Sequence, residues 1–287
     1  MGGSFAWLAG TAPFHAALAA RLGAERPELR CRARYLNGTE SVEIFRRERA
    51  DVLSSGLDEA VPALRRDGLL ADLRGRPAWE RAPRDLRDPS GAYVLFAAAR
   101  SVIVYDPARV ERPPRSLAEL ADPRWRGSSL VDPRTCGFGV VFLRFALSKP
   151  QLGEEWTRAM GRNGVRLRRQ TSHVVEAVAR GESPSGVARD VECRAALEAG
   201  ARIAWVDPAE GHLLQRFPSC LRADAPNAEA GGAFLDWMME PATQAFLAAQ
   251  GCAATVQPSS WVSDLEAPAR ADTADFARRA GAWLVPA

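Results

Sequence analysis

Strand-like and helix-like patterns alternate from the start of this chain, and that alternation limits the folds open to it. Ser4–Gly10 reads as a buried strand through Phe5, Ala6, Trp7 and Leu8. Phe14, Leu18 and Leu22 then recur at helical spacing, with Thr11 as a candidate N-cap and Pro13 suited to the first turn. Leu29, Cys31, Ala33 and Tyr35 alternate as a second strand, and a short helix follows near 40–47. Ala50–Gly56 reads as a third strand running into a Ser/Gly turn. This β-α-β-α-β order predicts a parallel sheet covered by helices. In such sheets ligands sit at the carboxyl ends of strands, in loops that lead into helices. Gly10-Thr11 and Ser54-Ser55-Gly56 are two such loops.

The same logic continues downstream. Residues 57–70 are helical in pattern, 74–89 form a Pro/Arg-rich loop, and Ala92–Tyr105 is a long apolar strand. Strands at 128–131, 166–169, 185–189 and 202–206 alternate with helices from about 137 to 147, 154–162, 171–181 and 191–199. A strand at 217–222 precedes helices at 229–239 and 241–250. At 287 residues the chain has room for about two domains, at roughly 150 residues each. The long strand at 92–105 suits a passage from one lobe to the other.

Composition removes several function classes. Lys+Arg is 38 against Asp+Glu 35, a net charge of +3, so the charge balance gives no support for nucleic-acid binding. The basic residues are almost all arginine, with Lys149 the sole lysine, which weakens any single Arg as a clue. No apolar run reaches the ~20 residues of a membrane-spanning helix. Met1-Gly2-Gly3-Ser4 does not read as a secretory signal. Cys31, Cys136, Cys193, Cys220 and Cys252 form no C-x-x-C, and His15, His173 and His212 lie far apart. A zinc or His-rich metal site is therefore not expected, and neither is a cofactor.

Three stretches resemble bacterial ABC-transporter extracellular solute-binding proteins. Ser101–Pro107 is similar to the V-V-Y-N/D-P turn of that family, and Pro114–Gly127 to its P-x-S-W/L-x-D/E-L-x-D-P-x-W-K/R-G segment. Ala225–Gln244 resembles its A-P-N/H-P-E-A-A-x-x-F-x-D-x-x-L-S-P-E-x-Q segment, with Val174–Glu182 in further support. The specific resemblance is to the group that binds ferric iron, thiamine, spermidine and organophosphates. It implies an α/β, two-lobed type 2 periplasmic-binding-protein fold with a ligand cleft between the lobes. Lobe one would be residues 1–97 together with 223–287 and its C-terminal helices, and lobe two 98–222. It further implies a monomeric, non-enzymatic receptor in the periplasm that takes a small-molecule ligand and hands it to ABC permease subunits. Iron-binding members carry adjacent tyrosines where this chain has Gly186–Cys193, a segment without tyrosine. A phenolate Fe(III) site is therefore not expected.

Candidate ligand contacts follow from loop chemistry and the resemblance together. Arg134, Thr135, Cys136 and Gly137 lie where a strand hands over to a helix, where free N–H groups and the helix dipole favour an anion. Thr171 and Ser172 open a second helix, and capping is the alternative role for both. Thr11, Ser54 and Ser55 are the lobe-one equivalents. Arg189 and Asp190 replace the tyrosine segment, and an Arg there is suited to bidentate phosphate or carboxylate binding. Asp207 and Glu210 sit in a further loop. These groups favour a small anionic or polar solute, while Trp7, Trp205 and Asp207 keep a cationic one open. Cys136 at a helix N-terminus is also a candidate nucleophile, as in cysteine enzymes on this fold, although no base is evident near it. A cytoplasmic ligand sensor is a third reading.

Overall fold

The computed structural model describes residues 3–54, 60–84, 87–252, 261–262 and 273–285. The chain divides into two compact units. Unit 1 holds the described residues up to Ala98 and those from Arg216 to Cys252. Unit 2 holds Ala99 to Gln215 together with 261–262 and 273–285.

In unit 1, β1 (Gly3–Ala9), α1 (Pro13–Glu25), β2 (Leu29–Tyr35), α2 (Gly38–Arg47) and β3 (Val52–Ser54) follow in the alternating order expected from the sequence. β1 pairs in parallel with β2 from Gly3↔Leu29 to Ala9↔Tyr35, and with β3 from Trp7↔Val52 to Ala9↔Ser54. Side chains of a strand alternate between faces. Phe5 and Trp7 accordingly join an aromatic cluster with Phe14, Phe96, Phe217 and Phe234. The Trp7–Phe234 centroids lie 4.9 Å apart and the Phe14–Phe217 centroids 5.0 Å. Each such pair adds about 0.5–1.5 kcal/mol beyond its buried area. Leu8 points the other way and packs with Phe45, Leu53 and Leu64. α3 (Ala60–Arg66) follows, and α4 (Pro77–Arg81) is a short helix inside the stretch read from sequence as loop. Its amide at Ala78 donates to Asp236 Oδ1 (2.9 Å), which fixes this turn on the later part of the unit.

β4 (Val94–Tyr105) carries the chain from unit 1 into unit 2 between Ala98 and Ala99. Unit 2 then contains β5 (Ser129–Val131), α5 (Gly137–Ser148), α6 (Gly153–Arg162), β6 (Arg166–Arg168), α7 (Thr171–Ala179), β7 (Ser185–Arg189), α8 (Asp190–Glu198) and β8 (Ala204–Val206). β5 pairs in parallel with β6 and with β7, while β7 and β8 both run antiparallel to β4. Val102, Val104, Leu130, Phe142, Phe145, Val174 and Val187 belong to its core. Glu210 is structural in this unit: its carboxylate accepts the amides of Leu117 and Ala118 at 2.9 Å each, ahead of the 3-10 turn Ala118–Ala121.

β9 (Leu213–Leu221) returns the chain to unit 1 between Gln215 and Arg216, and pairs antiparallel with β3. It starts earlier than the strand read from sequence because Gln215 and Arg216 interrupt the apolar run without interrupting the ladder. α9 (Ala228–Met238) and α10 (Pro241–Ala249) complete unit 1. β10 (Trp261–Val262) pairs with β9 at Leu213 and Leu214. α11 (Thr273–Trp283) packs on unit 2, not on the first lobe where the sequence reading put the C-terminal helices. The physical reason is local. The Arg144 guanidinium stacks over Phe276 at 4.8 Å, Arg158 stacks over Trp283 at 5.5 Å, and the glycine at 161 lets the end of α11 lie directly on α6.

The terminal strands of the sheet path are β2 and β6. β2 presents Arg30, Arg32 and Arg34, all exposed, and β6 presents Arg166 and Arg168.

A Cβ at Gly161 would lie 2.5 Å from the Trp283 carbonyl oxygen and 3.2 Å from the Leu284 carbonyl carbon. Gly161→Ala is therefore expected to destabilise the protein by about 1–3 kcal/mol through overpacking. Urea denaturation would show a lower midpoint, whereas an unchanged midpoint would mean that α11 does not press on α6.

Candidate functional site

β5, β6 and β7 are parallel, so their carboxyl ends lie along one edge of the unit 2 sheet, and each leads into a helix. α5 begins at Gly137, α7 at Thr171 and α8 at Asp190. The first amides of a helix have no partner within it, and aligned peptide dipoles leave partial positive charge there. Three helix N-termini on one edge therefore make a region suited to negative charge.

The loop after β5 is pinned to its neighbour. The Asp132 amide donates to the Arg168 carbonyl (2.8 Å), and the Thr135 hydroxyl lies 3.1 Å from the Arg169 carbonyl and 3.2 Å from that of Asp132. Thr135 thus supports the loop through its side chain. Gly139 allows the first turn of α5 to close over the loop, since a Cβ there would meet the Val131 carbonyl oxygen at 2.8 Å and Pro133 Cα at 2.9 Å. Arg134 is engaged by Asp132, with its Nε and Nη2 each 2.8 Å from that carboxylate. Burial pushes the Asp132 carboxyl up, but the Arg134 hydrogen bonds outweigh it and hold the group below the usual carboxylate range. The same pairing raises Arg134. Asp132 was not singled out from the sequence. The Asp-x-Arg spacing was its only signal, and that is common in a chain so rich in arginine.

Cys136 is the N-cap of α5 and is buried. Burial pushes its thiol up, although the Arg189 charge and the amides of Phe138 and Gly139 favour the thiolate. A raised thiol is a poor nucleophile at neutral pH.

Thr171 opens α7 and is 1% exposed, and its buried hydroxyl has no hydrogen-bond partner among the described residues. The residue at the N-cap position is Gln170, whose side chain does not cap the helix, so neither Thr171 nor Ser172 is the cap. Ser172 is half-buried and His173 exposed beside it.

Arg189 is the N-cap residue of α8 and only 5% exposed. Its guanidinium forms an ion pair with Glu192, donates from Nη1 to Gln215 Oε1 (3.1 Å), and lies over the Phe138 ring at 5.6 Å. Burial lowers the Arg189 pKa, but the Glu192 carboxylate more than compensates and the net direction is upward. Burial also pushes Glu192 up. The Asp190 carboxylate accepts the backbone amide and the Nε of Arg100 at 3.1 Å each. Burial pushes Asp190 up against that pairing. Asp207 lies 3.5 Å from Arg100 Nη1 and 3.9 Å from His212 Nε2. Gln215 and Arg100 escaped sequence reasoning because their partners are set by the fold and not by spacing, whereas the i,i+3 spacing of Arg189 and Glu192 was a signal that could have found Glu192.

In unit 1, Thr11 is half-buried and precedes Ala12, which occupies the N-cap position of α1, so Thr11 is not the cap. Pro13 is the first helical residue, as expected. Ser54 is buried: its hydroxyl accepts Trp7 Nε1 (2.8 Å) and bonds with the Ser219 hydroxyl (2.8 Å). Ser55 lies outside the described residues. Parallel pairing of β1 and β3 puts Thr11 and Ser54 near one edge of their own sheet. Among the described residues, no group of three or more His, Cys, Asp and Glu is placed to hold a metal ion. No helix among them is long and apolar enough to cross a membrane.

Comparison with known proteins places this geometry in context. A family profile described as bacterial extracellular solute-binding protein matches residues 9–253. The chain is 32% identical over 104 residues to an Fe(3+)-binding periplasmic protein of Serratia marcescens. That alignment covers 35% of this chain and 30% of the relative's own length. Among solved structures, a substrate binding protein of an ABC transporter from Agrobacterium tumefaciens superposes with TM-score 0.82 at 18% identity, over 98% of this chain and 93% of that one. The periplasmic binding protein AfuA from Actinobacillus pleuropneumoniae, solved with exogenous fructose-6-phosphate, gives TM-score 0.76 at 17% identity, over 97% and 93%. These likenesses show the two-lobed type 2 periplasmic-binding-protein fold.

Two outcomes are expected from the site chemistry. Asp132→Asn should cost no more than about 1 kcal/mol at neutral pH, because Arg134 is half-exposed and solvent screens the pair. A carboxyl held below its unfolded pKa stabilises above that pKa and loses the contribution as pH falls through the folded value. The difference in melting temperature between wild type and variant should therefore shrink below about pH 4, near the ordinary aspartate pKa. A difference that grows on acidification would contradict the pairing. Separately, iodoacetamide at pH 8 should alkylate Cys136 of the native protein at least tenfold more slowly than a free thiol whose pKa is about 8.5. Peptide mass mapping would report the rate, and fast labelling would reopen the nucleophile reading.

Proposed function

The chain belongs to the bacterial extracellular solute-binding protein family, and from that premise we propose that it captures a small anionic solute for an ABC importer. One observation carries the anionic reading: the N-termini of α5, α7 and α8 share one edge of the unit 2 sheet. The acidic groups near that edge do not oppose an anion, because Asp132 is paired with Arg134, Asp190 with Arg100, and Glu192 with Arg189. The buried Thr171 hydroxyl supplies a further polar atom in need of a partner. Gly186–Cys193 has no tyrosine, which supports a phosphate or phosphonate ester or a carboxylate over ferric ion as the solute.

The working cycle follows from the chain's path. Strands β4 and β9 each run from one unit into the other, so bending in them would let the lobes close on a solute and exclude water. Unit 2 would supply the Gly137 amide at the start of α5 and the amides of Thr171 and Ser172 at the start of α7, while the amides of Arg134, Thr135 and Cys136 hold the loop on Asp132. Thr11 and Ser54 of unit 1 would complete the site, with Ser55, which lies outside the described residues, a candidate from the sequence alone. Arg189 and Asp190 would act behind it, through their partners. The closed form would then dock on the permease from the periplasmic side. The raised Cys136 thiol supports a receptor over a thiol-dependent enzyme.

The test is a thermal-shift screen against inorganic phosphate, fructose 6-phosphate, phosphonates, dicarboxylates, spermidine, thiamine and ferric citrate. A ligand at a hundred times its Kd stabilises by about 2.7 kcal/mol, which raises Tm by several degrees in a chain of this size. The expected result is a shift with one phosphate or carboxylate class. Thr171→Val should weaken that binding about five- to tenfold, as for the loss of one hydrogen bond of ~1–1.5 kcal/mol. A shift with ferric citrate but not with citrate would overturn the anionic reading. A shift with spermidine or thiamine alone would overturn it too.

A further inference from the structure

We propose that Arg189 and Asp190 are positioning residues for solute capture: side by side at the β7–α8 junction, they fasten the two strands by which the chain enters and leaves unit 2. The inference rests on the receptor reading above and names the part of unit 2 that sets its lobe-closing strands. Arg100 is the second residue of β4 inside the unit, and Asp190 holds both its amide and its guanidinium. Gln215 is the last residue of unit 2 in β9, and Arg189 donates to its side-chain oxygen. Adjacent residues thus hold the inbound and the outbound strand, each at its point of passage.

The surrounding bonds extend the same clasp. The Leu213 amide donates to the Ser101 hydroxyl (2.9 Å), and the His212 ring donates from Nδ1 to the Ser101 carbonyl (3.1 Å). Asp207 holds the far side of Arg100 and faces His212. Glu192, in the first turn of α8, is buried against Arg189. Buried ion pairs contribute little net stability compared with apolar packing, but a fixed set of donors and acceptors specifies geometry. The clasp also reaches the edge where the solute is proposed to bind. The Arg189 guanidinium lies over Phe138, the second residue of α5, and its charge acts on Cys136, the N-cap of that helix. Movement of the first turn of α5 against a bound anion is thereby transmitted to the residue that holds β9.

The test separates the two arms. Hydrogen exchange by mass spectrometry on the full chain, without solute, would compare wild type with Arg100→Gln and Gln215→Leu. Arg100→Gln should speed exchange at least tenfold in peptides covering 99–105 and leave the rest of unit 2 unchanged. Gln215→Leu should do the same for 213–217 alone. Asp190→Asn should match Arg100→Gln, and Asp190→Glu should restore part of the protection. Faster exchange spread evenly over unit 2, or none in either strand, would overturn the proposal, because a residue that merely stabilises the unit acts on all of it. The second readout is affinity for fructose 6-phosphate or inorganic phosphate by calorimetry. Gln215→Leu should change Kd at least fivefold although Gln215 is not itself a proposed solute contact, and an unchanged Kd would overturn the positioning role. Strand-specific exchange without binding of either anion to wild type would leave the clasp standing and sink the anionic reading instead.

Discussion

Parallel pairing of β5 with β6 and β7 is the constraint on which the rest of unit 2 depends. Two parallel neighbours cannot be joined by a tight turn, so the chain must climb back along a helix between them. β5, β6 and β7 then end at the same edge, and α5, α7 and α8 begin there. The placement of Arg134–Gly137, of Thr171-Ser172 and of Arg189-Asp190 side by side is a result of strand direction before it is a result of side-chain chemistry. The side chains then refine it. Thr135 ties one loop to the next, and the glycine at 139 lets the α5 turn sit on the strand end.

The electrostatics of that edge are arranged in closed pairs. Asp132, Asp190 and Glu192 each meet an arginine, and the arginines are consumed by them. The helix ends on that edge carry partial positive charge from their aligned peptide dipoles. On the proposed reading an anion would be held there by short-range hydrogen bonds, in a chain whose net charge is only +3.

Much of this was legible before any coordinates. The strand–helix alternation of the first residues predicted β1 to β3 in the right order, because apolar spacing separates a strand from a helix directly. The loops after strands were legible for the same reason. Capping was less so: Thr11 and Thr171 have the right chemistry for caps, yet each helix begins one residue away from where a cap would act, a difference set by how the chain enters the turn. The partners of Arg189 and Asp190 were invisible, since Gln215 and Arg100 are far from them in sequence and adjacent only after β4 and β9 are laid beside the β7–α8 junction. The docking of α11 was equally hidden. Its apolar positions announce a face to bury but not the surface that receives it, and the choice was made by a bare glycine on α6.

The arginines at the ends of the sheet path have a consequence of their own. Among the described residues β2 pairs only with β1 and β6 only with β5, and an open strand is a template on which another chain can build. Arg30, Arg32 and Arg34 on one, and Arg166 and Arg168 on the other, place a cation at every second position. An incoming strand would meet bulky guanidinium groups spaced by the pleat, with Arg34 paired to Glu48 and Arg168 to Glu182. Guanidinium groups keep their charge at any pH a cell envelope meets, so this protection does not lapse when the surroundings acidify. The two strands that end the sheet path thus carry their own protection against pairing with a further chain.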